Sequence, residues 1–206
     1  ETAQMLKPIF LEIVMAPSFA PDALELLCTK KNLRVLKVDM SKDNTVRKQY
    51  VSMNGGMLVQ DRDINTKPVS TEQCVTEAKP TAEQLADLEF AWKIVKHVKS
   101  NAIVVAKNGM TYGVGAGQMN RIGSAEIALK QAQATLKEEG KDIMTEGLVL
   151  ASDGFFPFND CVALAAEYGI KAIVQPGGSI RDEDSVKLAD EKGITMLFTG
   201  ERHFKH

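Results

Sequence analysis

From residue 81 onward, the chain alternates between short apolar runs typical of buried strands and longer stretches with helical periodicity. The strand-like runs are AIVVAKNG, MTYGVGAG, GLVLASD, KAIVQPGG and TMLF, and helices are predicted over about 120–138, near 160–168 and from about 181. Strands that alternate with helices favour a sheet covered by helices, because each element must bury its apolar face against another layer. We therefore predict an α/β fold for this part of the chain.

Two local signals support this prediction. Thr81 and Gln84 form the T-x-x-Q pattern of a capping box, in which side chains at a helix start satisfy free backbone N–H groups. The helix that follows is apolar on several faces, so we expect it to be central and buried. The dipeptide Asn108-Gly109, a favoured sequence for a two-residue turn, predicts a hairpin between the first two strands.

The first 80 residues look different, with shorter elements and more irregular sequence. IFLEIVMAP, LRVLKVD and GMLVQDRD are typical of strands, and PDALELLCTKKN is typical of a helix with proline in its first turn. Residues 41–56 are polar and predict a loop around a short strand. We expect connecting strands, helices and loops over about 1–80 and a main lobe over about 81–206.

Composition excludes several classes of protein. Of 206 residues, 44% are hydrophobic and 25% charged, and the formal net charge is −2, which argues against nucleic acid or a membrane surface as the main partner. The three cysteines lie far apart, which disfavours a disulfide framework and a structural zinc site and suits a reducing cytoplasm. No apolar run reaches the roughly 18 residues of a membrane span. The start, ETAQMLKPIF, lacks an initiator Met and a signal-peptide pattern, so we expect a piece of a longer chain.

Four loops with glycine or proline each follow a predicted strand: GVGAGQMNR, ASDGFFPFND, QPGGSIRDE and FTGERHFKH. In open α/β sheets, ligands bind beyond the carboxyl ends of the strands. The four loops therefore predict one shared crevice at that edge of the sheet.

Each of these loops also has a purely structural interpretation. Gly113, Gly115 and Gly117 have the spacing G-x-G-x-G, in which no glycine stands at the third position of the dinucleotide fingerprint G-x-G-x-x-G. The stretch is therefore compatible with either tight packing or an approach to a ligand. The stretch SDGFFPF is either a hydrophobic plug or the wall of a site for a flat heterocycle, with Asp153 or Asp160 as a polar handle.

The loop PGGS either begins a helix with Ser179 as N-cap or presents backbone N–H groups to a ligand. For Lys96-His97, a location at a helix end favours an exposed pair that complements the helix dipole. The sequence contains no zinc-deaminase pairing of H-x-E with P-C-x-x-C, no Walker loop, no G-x-S-x-G and no H-E-x-x-H.

The chain ends on a basic tip flanked by aromatic residues. Phe198 and Phe204 bracket the charges, and solvated tails seldom carry aromatics at this density, so we expect the tip to be docked. Its basic side chains are therefore expected to face something negative: Arg202, His203, Lys205 and His206.

Taken together, three long stretches resemble one family closely. They are VKSNAIVVAKNGMTYGVGAGQMNRIGSAEIA, ASDGFFPFND and QPGGSIRDEDSVKLADEKGITMLFTGERHFKH, and the earlier NGGMLVQDRD and EIVMAPSF match in order. They look like the C-terminal part of the bifunctional purine biosynthesis family, which joins an AICAR transformylase domain to an IMP cyclohydrolase domain. The resemblance implies formyl transfer from 10-formyltetrahydrofolate, a co-substrate, to AICAR, with no tightly bound cofactor.

The resemblance also implies roles for individual residues. Asn101 matches the family's carboxamide contact, and Arg121, Phe155 and Arg202 match other nucleotide contacts, with Arg202 at the phosphate. On the folate side the resemblance implies five matches: Ile122, Pro157, Phe158, Asp160 and Ser179. The implied fold is a three-layer α/β/α arrangement with a mixed sheet, a cytidine-deaminase-like lobe without zinc. The implied assembly is a cytoplasmic homodimer whose sites use residues from both subunits.

Two departures from the family pattern matter. The family's catalytic Lys-His pair lies in an upstream S-F-K-H-V stretch that this sequence lacks, and Lys96-His97 does not replace the pair. The sequence also lacks the first transformylase lobe and the cyclohydrolase domain of the family. Relatives commonly carry Gly or Asn at the position of Cys161, which puts one folate contact in question. A second hypothesis is therefore a non-catalytic folate- or nucleotide-binding or dimerisation module that retains only the fold. The cysteine spacing disfavours a third, a zinc deaminase relative.

Overall fold

The computed structural model describes residues 1–39, 48–64 and 67–205, and it divides the chain into two compact units that meet between Arg62 and Asp63. The first unit contains helices α1 (Thr2–Leu6) and α2 (Pro21–Cys28) and strands β1 (Ile13–Ala16), β2 (Arg34–Lys37), β3 (Lys48–Met53) and β4 (Gly56–Asp61). β1 pairs with β2 in parallel, and β3 pairs with β4 in an antiparallel hairpin.

Most of the elements predicted in the first unit are present, with shorter bounds. Helix α2 begins at Pro21, as the sequence predicts, but ends at Cys28, where Thr29 caps the last turn. Helix α1 was not predicted. Strand β3 lies in the stretch predicted as a loop around a short strand, and residues 41–47 of that stretch lie outside the described residues.

The second unit begins at Asp63, upstream of the boundary predicted near residue 80. The irregular stretch before residue 80 belongs to it because this stretch pairs with the last strand: Val75 N–H donates to the Met196 carbonyl (2.9 Å), and Met196 N–H donates to Thr76 Oγ1 (2.9 Å). The helices and strands follow in the order α3 (Ala82–Val95), β5 (Ile103–Lys107), β6 (Met110–Gly115), α4 (Arg121–Glu138), α5 (Ile143–Glu146), β7 (Val149–Ser152), α6 (Asp160–Glu167), β8 (Ala172–Gln175), α7 (Asp182–Lys192) and β9 (Thr195–Phe198).

Both local signals in this unit are confirmed. The Thr81 side chain accepts from Gln84 N–H, and the Gln84 side chain accepts in return from Thr81 N–H, which is a complete capping box at the start of α3. Asn108 and Gly109 form the turn between β5 and β6 with φ of 51° and 66°. Both angles are positive, as a type I′ hairpin turn requires.

The described residues of the second unit form a mixed five-stranded sheet in the order β6-β5-β7-β8-β9. Strand β5 runs antiparallel to both of its neighbours, β6 and β7, whereas β7, β8 and β9 are mutually parallel. Four strands therefore end at the same edge, and β5 begins there.

Alternate residues of the sheet enter two separate cores. Ile103, Leu150 and Ile173 pack in one apolar cluster with residues of α4, α6 and α7. Val104, Ala151 and Val174 pack in a second cluster with α3, whose Leu88, Ala91 and Val95 are completely buried. The prediction that α3 is central and buried is confirmed, and the unit is α/β with a mixed sheet.

The two glycines of β6 serve close packing against α4. A Cβ atom added at Gly113 would lie 1.8 Å from the Ala128 carbonyl oxygen, and one added at Gly115 would lie 1.9 Å from that of Ser124. Only a residue without a side chain permits this approach of strand and helix. For Gly113 and Gly115, the packing interpretation of the glycine-rich stretch is therefore the one that the structure supports.

Candidate functional site

The strand directions bring the four predicted loops to one edge of the sheet. β6, β7, β8 and β9 all end at this edge. β5 runs the opposite way and begins there, so the segment before it, which carries Asn101, lies at the same edge. This position of Asn101 agrees with the predicted hairpin, because a hairpin makes β5 antiparallel to β6 and places the start of β5 beside the end of β6.

At the end of β7, a completely buried carboxylate organises this edge. Asp153 is 0% exposed, and its two oxygens accept hydrogen bonds from the Arg121 guanidinium, the Ser100 hydroxyl and the Ala102 N–H (3.1 Å). Arg121 is the first residue of α4 and is itself buried. An ion pair in this setting must be well bonded to offset the cost of removing both charges from water.

Arg121 extends the network to Asn101. Its Nη1 donates to Ser152 Oγ (2.9 Å), and its Nη2 donates to Asn101 Oδ1 (2.9 Å). Asn101 Nδ2 then donates to the Gln118 carbonyl (3.0 Å), so both ends of the amide group are fixed. Gly154 makes room for this arrangement, since a Cβ atom there would lie 2.4 Å from Arg121 Nη2.

Two clefts open at this edge and adjoin each other. The first, which we call the Asn101 cleft, has a volume of about 350 Å³ and is lined by Asn101, Met119, Asn120, Arg121, Phe155, Pro157 and Phe204. The second, the Phe158 cleft, has a volume of about 560 Å³ and is lined by Phe155, Pro157, Phe158, Gly178, Ser179, Ile180, Arg181 and Arg202. Phe155 and Pro157 line both clefts.

In the aromatic loop after β7, the plug interpretation is confirmed for one phenylalanine, whereas the wall for a flat heterocycle stays a prediction and neither Asp153 nor Asp160 lines these clefts as a polar handle. Phe156 is 0% exposed and is a plug in the core beneath the loop, whereas Phe155, Pro157 and Phe158 line the clefts. The guanidinium of Arg202 lies over the Phe155 ring, 4.8 Å from its centroid, and that of Arg181 lies over the Phe158 ring at 5.2 Å. Cation–π contacts of this kind hold Arg181 and Arg202 at the Phe158 cleft.

The structure distributes the predicted site residues unevenly. Asn101, Arg121 and Phe155 line the Asn101 cleft, and Pro157, Phe158 and Ser179 line the Phe158 cleft. Arg202, expected beside the nucleotide residues, lines the Phe158 cleft and reaches the Asn101 cleft through its contact with Phe155. Two residues of the set line neither of these clefts: Ile122 packs against the core, and Asp160 Oδ1 accepts from Cys161 N–H (2.8 Å).

The PGGS loop uses its N–H groups within the chain. Gly178 N–H and Ser179 N–H both donate to Asp182 Oδ2, at 2.6 and 3.1 Å, and Gly177 N–H donates to Gln175 Oε1 (2.9 Å). The interpretation of Ser179 as a helix N-cap is wrong, because α7 begins at Asp182 and Ser179 Oγ instead accepts from Arg181 N–H (3.2 Å) in the preceding turn.

The basic tip is docked, as predicted. His203 is 3% exposed; its Nδ1 bonds Asp63 Oδ2, its ring lies 4.4 Å from that of Trp92, and its N–H donates to the Asp153 carbonyl (3.0 Å). Ser100 N–H donates to the Lys205 carbonyl (2.9 Å). The negative partner of His203 is therefore Asp63, whereas Arg202 is exposed and His206 lies outside the described residues.

The pair Lys96-His97 lies just beyond the end of α3, as predicted, but only His97 is exposed, whereas the Lys96 side chain is 12% exposed. Partial burial, followed by the cations of Lys96 and Lys205, lowers the pKa of His97, so this ring is mostly neutral at pH 7. Lys205 Nζ donates to the His97 carbonyl (3.1 Å), and Lys96 Nζ lies 3.9 Å from Asp63. The lysines, rather than His97, supply the positive charge at this helix end.

Cys161, the position that departs from the family pattern, is 1% exposed and belongs to the core. Burial raises the pKa of its thiol to about 12, and the nearby Asp160 carboxylate adds to the shift. The thiol is therefore protonated and unreactive at neutral pH.

Sequence reasoning missed much of the support beneath the clefts. Ser100, Ser152 and Asp153 form the polar layer under Asn101 and Arg121. Ser100 and Ser152 have no sequence signal beyond a position near a strand end, and Asp153, predicted as a polar handle for a ligand, is instead buried beneath the clefts. In the part of the chain that the structure describes, no group of three or more His, Cys, Asp or Glu residues is arranged to hold a metal ion. No described helix is long and apolar enough to cross a membrane.

Comparisons with known proteins agree on one family. The family model described as AICARFT/IMPCHase bienzyme matches residues 1–131. Over 206 residues the chain is 57% identical to the bifunctional purine biosynthesis protein PurH of Anoxybacillus flavithermus, and over 207 residues it is 56% identical to that of Lactobacillus delbrueckii subsp. bulgaricus. Each match covers 100% of this chain and 39% of the relative, so the chain spans about two fifths of their length.

Solved structures resemble the chain more distantly. A NE0047 mutant in complex with 8-azaguanine is 16% identical, with a TM-score of 0.41, over 55% of this chain and 75% of that one. NE0047 in complex with 2,6-diaminopurine is 19% identical, with a TM-score of 0.38, over 62% of this chain and 78% of that one.

Proposed function

Because the chain belongs to the AICARFT/IMPCHase bienzyme family, we propose that it forms part of an AICAR formyltransferase acting in purine biosynthesis, within a longer protein that is also an IMP cyclohydrolase. In this reaction the formyl carbon leaves N10 of 10-formyltetrahydrofolate and bonds to the 5-amino nitrogen of AICAR. The amine loses a proton and N10 gains one, which yields FAICAR and tetrahydrofolate.

The observation that carries this proposal is the pair of adjoining clefts with a shared wall. A transfer between two substrates requires both to be held in contact at once, with the reacting atoms about 3–3.5 Å apart. The Asn101 cleft combines fixed polar groups with one aromatic ring, and the Phe158 cleft is mainly apolar with two arginines. Their common residues, Phe155 and Pro157, lie where two bound substrates would meet.

On the nucleotide side, Asn101, Arg121 and Phe155 suit the imidazole carboxamide. Because Arg121 donates to Asn101 Oδ1, the orientation of the amide is fixed, and Nδ2, which donates to the Gln118 carbonyl, is the group that we propose also donates to the ligand. An N–H donor is the group that a carboxamide oxygen accepts from. Arg202 supplies a fork of donors for the nucleotide phosphate.

On the folate side, Pro157, Phe158 and Ser179 line the cleft in which a pterin or its attached ring would pack. Asp160, at the start of α6, would accept hydrogen bonds from pterin N–H groups, and Ile122 would contribute apolar contact. Because the Cys161 side chain is buried, the protein offers only backbone at that position.

The finer features implied by the family belong to the same proposal. The complete enzyme is a cytoplasmic homodimer whose sites draw on both subunits, and its proton transfer uses a Lys-His pair from the remainder of the protein. The second unit of this chain is a three-layer α/β/α lobe of the cytidine deaminase type without zinc, consistent with helices against both faces of its sheet. The partners are AICAR and 10-formyltetrahydrofolate, with neither nucleic acid nor a membrane.

The proposal is tested by assaying formyl transfer to AICAR with the full-length protein. We expect turnover by the full-length protein and, from a mass-verified sample of these 206 residues alone, a rate lower by about 10²–10⁴-fold, because the general acid/base is missing. Asn101→Ala in the full-length protein should lower kcat/KM about tenfold or more. A full-length protein that forms no FAICAR, or an isolated chain as fast as the full-length protein, would contradict the proposal. An isolated chain as fast as the full-length protein would show that the upstream Lys-His pair is not needed as the general acid/base.

A further inference from the structure

The buried carboxylate of Asp153 lies beneath the Asn101 cleft without lining it. It is 0% exposed, and its side chain accepts from three donors in two separate segments: Arg121 at the start of α4, and Ser100 and Ala102 on either side of Asn101. A carboxylate that is fully buried and still carries a charge must have its partners close and correctly oriented.

Through Arg121 this carboxylate reaches the amide of Asn101. Arg121 Nη1 bonds Asp153, which sets the plane of the guanidinium, and Nη2 of the same group donates to Asn101 Oδ1 (2.9 Å). Asp153 also fixes the backbone around Asn101, because it accepts from Ala102 N–H (3.1 Å) and from the Ser100 hydroxyl. Both the side chain and the main chain of Asn101 therefore depend on one carboxylate.

Asp153 also holds the segment that carries Arg202. Its carbonyl oxygen accepts from His203 N–H (3.0 Å), and the Ser100 hydroxyl that bonds its carboxylate accepts from Lys205 N–H (3.0 Å). These two bonds involve the first and the third residue after Arg202. Asn101, proposed to bind the carboxamide, and the segment of Arg202, proposed to bind the phosphate, are thus both bonded to Asp153 or to its partners.

We infer that Asp153 is a positioning residue for the nucleotide: it never touches the ligand, but it orients Asn101, Arg121 and the segment after Arg202. This inference rests on the proposed function for the identity of the nucleotide, AICAR. The folate residues Phe158 and Ser179 are held by other groups: Ser185 Oγ donates to the Phe158 carbonyl (3.5 Å), and Ser179 N–H donates to Asp182 Oδ2 (3.1 Å). Loss of the carboxylate should therefore affect the two substrates unequally.

The first test is Asp153→Asn in the full-length protein, with dissociation constants for AICAR and for a non-reactive folate analogue measured by calorimetry beside the melting temperature. We expect AICAR affinity to fall about tenfold or more and folate-analogue affinity to change less than about threefold. The matched control is Asp87→Asn, since Asp87 is also a buried carboxylate and accepts from Gly109 N–H (3.0 Å) at the opposite edge of the sheet. It should lower the melting temperature without changing either affinity.

A double-mutant cycle keeps the inference testable if Asp153→Asn folds poorly. Ser100→Ala removes one bond to the carboxylate and leaves its charge paired, so it should fold and weaken AICAR binding in the same direction by a smaller factor. If Asp153 acts through Arg121, Ser100→Ala should weaken AICAR binding less when Arg121→Gln is already present, because the guanidinium that Asp153 orients has been removed.

The outcomes separate the inference from the proposed function. A wild-type protein that does not bind AICAR would remove the proposed function and this inference with it. Normal AICAR binding by the wild type, combined with unchanged AICAR affinity in Asp153→Asn or Ser100→Ala, would overturn only the inference. Equal losses for AICAR and the folate analogue would make Asp153 a residue of general stability, and fully additive losses in the cycle would overturn the route through Arg121.

Discussion

At the scale of single residues, Arg202 links the two clefts. Its guanidinium lies 4.8 Å from the centroid of Phe155, which lines both clefts, and 5.9 Å from that of Phe204, which lines the Asn101 cleft. The next residue, His203, is buried against Trp92 and Asp63, so the backbone of Arg202 is anchored while its side chain is exposed. An exposed, anchored arginine at a cleft suits the capture of a phosphate.

We expect Arg202→Ala in the full-length protein to weaken AICAR binding roughly ten- to a hundredfold and to affect a folate analogue far less. Arg202→Lys should be intermediate, because it keeps the charge and loses the planar fork. Calorimetric titration of both ligands, beside thermal unfolding, measures the effect. Parallel losses for both ligands with a lowered melting temperature would show instead that Arg202 stabilises the fold, and a selective loss for the folate analogue would place it in the folate site.

At the scale of secondary-structure elements, the close contact of β6 and α4 sets the position of Arg121. Arg121 is the first residue of α4, and Asn120 caps this helix by accepting from Gly123 N–H (2.8 Å). One turn further on, the Ser124 carbonyl approaches Gly115 so closely that a side chain there has no room. The helix start, and with it Arg121, is therefore held at a distance that glycine alone permits.

Gly115→Ala should accordingly destabilise the protein by about 1–3 kcal/mol or more, because the added Cβ would lie 1.9 Å from backbone that must shift. Gly56→Ala is the matched control: a Cβ atom there meets nothing within 4 Å, and its φ is not positive. Chemical denaturation of both variants measures the difference. Equal stability of Gly115→Ala and the wild type would mean that α4 moves freely away from β6.

The elements differ in how far the sequence could predict them. The capping box of α3 and the Asn108-Gly109 turn depend on neighbouring residues, and both were predicted correctly. The short helices α1 and α5 carry too little periodicity to be recognised. Ser179 was misassigned as an N-cap. The Asp182 carboxylate accepts from the N–H groups of this loop, and the sequence pattern does not show whether Asp182 or the Ser179 hydroxyl would be the acceptor there.

The site was predictable where it follows strand ends and unpredictable where it depends on pairing across the sheet. The loops after β6, β7, β8 and β9 could be assigned to one edge because parallel strands share their carboxyl ends. The bond between Arg121 and Asp153 joins residues 32 positions apart, and it arises only once the fold brings the start of α4 next to the end of β7. The roles of Ile122 and Asp160, which line neither cleft, stay predictions.

At the scale of the whole molecule, we propose that the chain carries one edge of a site rather than all of it. It spans 39% of the length of the PurH relatives, and in our proposal the missing catalytic pair and the second subunit complete the two clefts. In this proposal, the described edge orients the nucleotide through Asn101 and Arg121 and offers aromatic surface through Phe155 and Phe158. Positioning of this kind contributes much of the rate enhancement in two-substrate reactions.

The most direct test of this account is a crystal structure of the full-length protein with AICAR and a folate analogue bound together. The account predicts the AICAR carboxamide within hydrogen-bond distance of Asn101, its ring on Phe155 and its phosphate at Arg202, with the pterin or attached ring in the Phe158 cleft. Asp153 should remain bonded to Arg121 without touching either ligand. A structure that shows either ligand bound at other residues, with the Asn101 and Phe158 clefts empty, would contradict the account.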